Sequence, residues 1–312
     1  MKKIFALAAI LAFGSAHAEE LKFGDLNYFL KQGQMNIKAD FVSNNETSRY
    51  NKGDSTEIDS YLLNTKIAYA INDSLNVHLG LDFLFDGQAE DSRVGLNGDG
   101  DRVTKTDASE DSMGLQNPKI GADFRLLNQS SAAFNLDFGA VATFKLTERK
   151  VGTSEKEGNM INPIFTTADP RSGLDLNARL GKKVNEANEY YFLAGVNYHL
   201  DGEYKQLQGS KVDVDSSVDF RLAGFYQYRP VNEFMMTLGL TAIRVGETDV
   251  GNSTATSHMD YQFLFDAKYL ITDSVIAKFS FTKDKRDDFD FGDADIDKRN
   301  SLQYGIGIDY LF

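Results

Sequence analysis

Leu302-Gln303-Tyr304-Gly305-Ile306-Gly307-Ile308-Asp309-Tyr310-Leu311-Phe312 is the stretch from which the fold can be read. Leu302, Tyr304, Ile306, Ile308, Tyr310 and Phe312 take every second place, and Gln303, Gly305, Gly307 and Asp309 stand between them. In an extended strand successive side chains point to opposite faces, so this run has one large apolar face and one small, polar face. A helix would scatter the same residues around its axis.

Eleven further runs upstream alternate in the same way: Gln34–Ser43, 61–71, Leu75–Phe85, Ile120–Leu126, Phe134–Leu146, Leu174–Leu180, Phe192–Leu200, Val218–Tyr228, Met236–Ala242, Met259–Tyr269 and Val275–Phe281. Twelve strands follow, most of them near the 9–11 residues that a tilted membrane-spanning strand needs. The connections alternate in length. Short ones carry turn residues: Asn72-Asp73-Ser74, Asn128–Ser131, Asn185–Asn188, Pro230-Val231-Asn232 and Thr272-Asp273-Ser274. The others are mostly longer: Asn44–Thr56, Ala89–Met113, Glu148–Pro170, Gln206–Val212, Gly251–Thr256 and Arg286–Asp297. Short turns at one end and long loops at the other mark transmembrane β-barrels. A soluble β-sandwich also alternates, but its strands are shorter and its apolar face does not persist over five to seven alternate positions. The expected fold is therefore all-β: a single-chain antiparallel transmembrane barrel of twelve strands, with short periplasmic turns and longer extracellular loops. Tyr61, Phe85, Phe144, Tyr198, Tyr228 and Tyr269 lie near run ends, where an aromatic interface girdle belongs.

Composition agrees. The 312 residues include 23 Phe, 14 Tyr and 26 Gly, but only four Pro and no Trp. Cysteine is absent, which excludes disulfides, thiolate chemistry and cysteine-held metals. The formal net charge of −13 argues against a duplex nucleic-acid partner, which requires a basic face. Residues 1–18 have the three parts of a secretory signal peptide: Lys2-Lys3, the apolar run Ile4–Phe13, and Ala16 and Ala18 at −3 and −1 of a cut. Removing two lysines with it takes the charge to −15. Residues 19–33 then form a lead-in before the barrel at 34–312. Leu21, Phe23, Leu26, Tyr28, Phe29 and Leu30 give it apolar content without a clean period, which leaves a short periplasmic helix, a plug entering the lumen and a disordered lead-in all open.

The C-terminal run resembles the last strand of Gram-negative outer-membrane proteins. Those chains commonly end in Phe after alternating apolar or aromatic residues, and the barrel assembly machinery reads that strand, here through Tyr310 and Phe312. The resemblance implies the cell outer membrane, with its lipids and that machinery as partners. A second stretch, Gly114-Leu115-Gln116-Asn117-Pro118-Lys119-Ile120-Gly121-Ala122-Asp123-Phe124-Arg125-Leu126-Leu127, resembles a strand of the meta-pathway phenol-degradation transporter family. There a Gly-Asp pair commonly opens the strand and a Lys-Tyr pair sits near its end. Asn117-Pro118 and Asp123-Phe124 stand in those places here, so the likeness names no aromatic substrate.

The polar faces should line a lumen: Lys38, Asp40, Lys66, His78, Asp82, Asp123, Arg125, Asp137, Lys145, Asp175, Arg179, His199, Asp219, Arg221, Asp266, Lys268, Lys278 and Asp309. Both signs occur. In a water-filled pore they would set a local field and a weak ion preference; in a closed barrel they would pair across the interior and block it. Twelve strands lie between small, side-chain-filled barrels and the wide 16–18-stranded porins. A channel for passive diffusion of small hydrophilic solutes or ions is the leading reading, ahead of a structural or surface-interaction barrel with a closed lumen and of a transporter of small hydrophobic or aromatic compounds. The loops are acidic. Ala89–Met113 has seven acids against three bases, which would favour cations at the entrance. Asn97-Gly98-Asp99-Gly100-Asp101 and Asp293-Ala294-Asp295-Ile296-Asp297 offer oxygen ligands, but neither has the full spacing of a calcium loop. No metal site or cofactor is expected. Outside the leader only His78, His199 and His258 remain, and Ser257-His258 would point to opposite faces of a strand, so no hydrolase triad is expected either. Monomer and homo-oligomer remain open.

Overall fold

The computed structural model describes residues 21–50, 55–96, 102–145, 171–205, 211–292 and 294–312. The leader at 1–18, the Glu148–Pro170 loop and the Asn97–Asp101 cluster lie outside the described residues. Twelve strands form the wall: β1 Met35–Tyr50, β2 Ser55–Asn72, β3 Leu75–Leu96, β4 Lys119–Leu127, β5 Asn135–Thr143, β6 Arg171–Asn185, β7 Asn188–Lys205, β8 Ser217–Val231, β9 Phe234–Val245, β10 His258–Thr272, β11 Val275–Arg286 and β12 Ala294–Leu311. Each pairs antiparallel with the next, and β12 returns to β1 over a register from Asn36↔Leu311 to Tyr50↔Ile296. The sheet is therefore a closed barrel without an edge. Closure is what hydrocarbon demands, because an unpaired backbone N–H or C=O has no water to bond there.

Burial is inverted relative to a water-soluble domain. Leu222, Leu240 and Ile306 are about two-thirds exposed, at 66%, 68% and 64%, while Arg125, Asp137 and Asp309 are each 6% exposed. Alternation accounts for both: the apolar parity faces out along every strand and the polar parity faces in. Tyr61, Phe85, Phe144, Tyr198, Tyr228 and Tyr269 all lie on the outer face. With strands about 4.8 Å apart and tilted by about 35–45°, twelve strands give a backbone diameter of roughly 22–26 Å.

The two ends differ as the connection lengths require. At the short-turn end the links are tight, as at Asn72-Asp73-Ser74, where Asn72 Oδ1 accepts from Ser74 N at 2.9 Å. At the other end several expected loops prove to be strand. β1 and β2 stay paired up to Arg49↔Ser55, and β3 continues to Leu96 against an added strand, Arg102–Leu115. Short pieces Lys211–Val214, Thr248–Val250, Ser253–Ala255 and Phe289–Phe291 extend the wall between β7 and β12. These segments are too short or too polar to carry a long lipid-facing pattern, so only the spanning part of each hairpin was visible as alternation. Backbone pairing needs no such pattern and carries the sheet on into water. Lys145 lies just beyond the end of β5 and donates to the Glu203 carbonyl at 2.7 Å, at the loop end of the wall.

Candidate functional site: a lumen with a filled mouth

Residues 21–33 lie inside the ring of strands at the short-turn end. They form turns rather than a helix. Gly24 has φ +96, a left-handed conformation that favours glycine, and sits against the side chains of Met235 on β9 and Ile276 on β11. Its carbonyl accepts from Gln227 Nε2 on β8 at 3.3 Å. Asp25 is enclosed; its carboxylate meets Lys183 Nζ of β6 at 3.1 Å and the Arg229 guanidinium of β8. Asn27 donates to Glu189 at the start of β7, and its carbonyl accepts from Arg125 of β4 at 2.9 Å. Arg125 also stacks over Phe29, with 4.6 Å to the ring centroid. On the far side, Leu30 packs with Ala70 of β2 and Leu311 of β12. One segment thus touches strands all round the ring, so it crosses the mouth.

Beyond this segment the wall carries two arcs. On β4–β8, arginines and aspartates alternate. Arg125 grips Asp137 with two bonds, 2.7 and 2.9 Å; Arg179 reaches Asp123 at 2.6 Å; Arg221 reaches Asp175 at 3.0 Å. His78 adds a contact to Asp123 at 3.4 Å, and His199 meets Asp219 at 3.0 Å. The facing arc, β10–β2 through the β12–β1 seam, uses lysines. Lys278 holds Asp40 at 3.2 Å and Lys38 holds Asp309 at 3.3 Å. Lys66 lies across from Lys38 and Lys268 from Lys278 in register, and Asp266 is on the same face two places from Lys268. Asp82 is paired with Lys119 at 2.8 Å.

These pairs follow the wall. Arg125–Asp137, Lys38–Asp309, Lys119–Asp82 and His199–Asp219 join neighbouring strands; Arg179–Asp123, Arg221–Asp175 and Lys278–Asp40 skip one strand. Among the described residues, no lumen ion pair joins opposite sides of the ring. The groups that tie the mouth segment were missed by the sequence reading: Lys183, Glu189, Gln227 and Arg229. Their signal was present, since all four continue the inward parity of Arg179, Tyr191 and Phe225 to the strand ends. Asp25 and Asn27 had none. Among the described residues no cluster of three or more His, Cys, Asp or Glu is arranged to hold a metal.

No family model matches the chain, and no curated protein matches it either. Solved structures do. An outer membrane channel from Pseudomonas putida F1 superposes with a TM-score of 0.59 at 15% identity, covering 94% of this chain and 100% of that one. The β-domain of the Bordetella autotransporter BrkA gives 0.50 at 11% identity, covering 89% and 99%. The translocator domain of the autotransporter NalP from Neisseria meningitidis gives 0.50 at 9% identity, covering 99% and 93%. At these identities the likeness establishes a shared fold, that of outer-membrane barrels.

Proposed function

We propose that this chain is an outer-membrane channel for passive diffusion of small hydrophilic solutes or ions, with its short turns in the periplasm and residues 21–33 narrowing the periplasmic mouth. The observation that carries this reading is the course of the ion pairs. Beyond the mouth segment, side chains that bond along the wall leave the axis uncrossed, and a ring of twelve strands leaves a width on the order of 10 Å between them. The closed-barrel alternative needs bonds across the lumen, and the ion pairs on both arcs run between neighbouring or next-but-one strands. Each arc carries both signs in nearly equal number, so the wall gives little ion preference; a cation preference would come from the acidic loops. The outward Tyr310 and Phe312, whose rings meet at 4.3 Å, suit recognition by the barrel assembly machinery.

The test is single-channel recording from the detergent-refolded protein in a planar bilayer, after heat-modifiable gel mobility has verified folding. Discrete current steps are expected, with a reversal potential toward the cation side in a KCl gradient. Silence from a verified folded barrel overturns the channel reading.

A further inference from the structure

The outer wall is not uniformly apolar. On β11 the outward residues run Ala277, Phe279, Phe281, and then Lys283 and Lys285, both exposed. The neighbours of Lys283 stay apolar at the same level, Phe263 of β10 and Leu302 of β12, while Lys285, nearer the loops, lies between Tyr261 and Asn300. Lys283 therefore leaves the wall inside the lipid-facing band, just above the Phe281–Tyr304 ring contact of 5.4 Å. A cation on that surface is unfavourable unless its ammonium snorkels to an anionic partner. Arg244 of β9, also exposed and outward, stands beside Met259 near the same rim. Among the described residues neither Lys283 nor Arg244 meets an acid, and Lys285 has only Asp287 at 3.8 Å. Three strands round the ring from β11, the corresponding outward edge of β2 is acidic, with Glu57 and with Asp59 bonded to Asn45 at 2.6 Å.

A trough leads to these cations. One outward row follows the register Phe192–Gly224–Leu240–Phe263–Lys283, and the row beside it follows Ala194–Leu222–Ala242–Tyr261–Lys285. Gly224 and Ala242 lower the floor between larger neighbours, leaving a lipid-facing depression of about 910 Å³ that both lysines border. Register rows run perpendicular to strands. In a barrel with strands tilted by about 35–45° such a row climbs the wall obliquely instead of circling it. Its upper end is cationic and its length is apolar.

We propose that the outer face of β8–β11 binds a phosphorylated, multiply acylated lipid, with one acyl chain along the trough and phosphate held by Lys283, Lys285 and Arg244. The proposal rests on the outer wall facing lipid and not on the lumen conducting. The experiment uses the full refolded chain in a neutral detergent, titrated with bisphosphorylated lipid A and followed by native mass spectrometry. Expected are one retained lipid and at least tenfold weaker retention by a K283Q/K285Q/R244Q variant whose heat-modifiable mobility is unchanged. Ala242→Leu, which fills the trough and keeps the charges, should weaken retention at least threefold, and dephosphorylated lipid should bind at least tenfold more weakly. Glu57→Gln with Asp59→Asn should leave retention unchanged. Equal retention by wild type and the triple variant overturns the proposal. So does displacement of the lipid by equimolar inorganic phosphate, which would reveal a simple anion site. Because the readout is bound lipid, a silent channel would leave this result standing.

Discussion

The filled mouth and the open wall use the same chemistry in opposite directions. Both rely on Arg or Lys against Asp. At the mouth, Lys183 and Arg229 reach inward to Asp25 on a separate segment, and all three side chains are nearly excluded from solvent, at 2%, 6% and 0%. On the wall, Arg221 reaches sideways to Asp175, and the pair keeps 36% and 22% of its surface. A buried charge that loses its partner is costly, whereas a wet pair is worth little because water replaces the partner. The mouth contacts therefore hold a segment in place, and wet wall contacts such as Arg221–Asp175 mainly set the charge that faces the lumen.

Removing the carboxylate should have the largest effect. Asp25→Ala leaves Lys183 and Arg229 buried without their anion, at a cost of about 3–5 kcal/mol unless the segment detaches and admits water. Detachment is the expected outcome: amide exchange in residues 22–33 should accelerate more than a hundredfold, and channel conductance should rise. Unchanged exchange would mean that the apolar packing of Leu30 holds the segment by itself. Gly181→Val should act less strongly. A Cβ at Gly181 overlaps the Asn27 carboxamide, an overpacking worth about 1–3 kcal/mol, so exchange in the segment should rise roughly tenfold or more while barrel stability to urea stays near wild type. Arg221→Ala should have the smallest effect on stability, within about 1 kcal/mol, because its partner keeps contact with water. It removes a positive charge from the lumen, so the reversal potential should move toward the cation side. A large loss of stability there would erase the distinction between mouth and wall.

The twelve strands were legible because lipid on one side and water on the other impose a period of two on nearly every spanning segment. The same period assigned Asp123, Arg179, Asp175 and Arg221 to the lumen. It could not say who pairs with whom. Arg179 bonds across a strand to Asp123, a choice set by stagger and side-chain reach, which residue order does not record. The extensions Arg102–Leu115 and Lys211–Val214 were illegible for a different reason: the first has no run of alternating apolar residues, and the second is only four residues long, too short for its Val212 and Val214 to stand out as a period. The mouth was least legible of all. Asp25 meets Lys183 and Arg229 across 158 and 204 residues of chain, and nothing in the irregular run Leu21–Gly33 marks those partners.

The seam between β1 and β12 has a consequence for the order of events during folding. It joins the first strand to the last, with Met35 and Phe312 exchanging backbone hydrogen bonds, and so has the highest contact order in the molecule. Loop-closure entropy makes such a pairing late. Leu30 rests on Leu311, next to that final bond, so its seat in the mouth is incomplete until the two chain ends meet. The residues earliest in sequence among those described are thus among the last to settle, and protection of Leu30 from solvent would time the moment of closure.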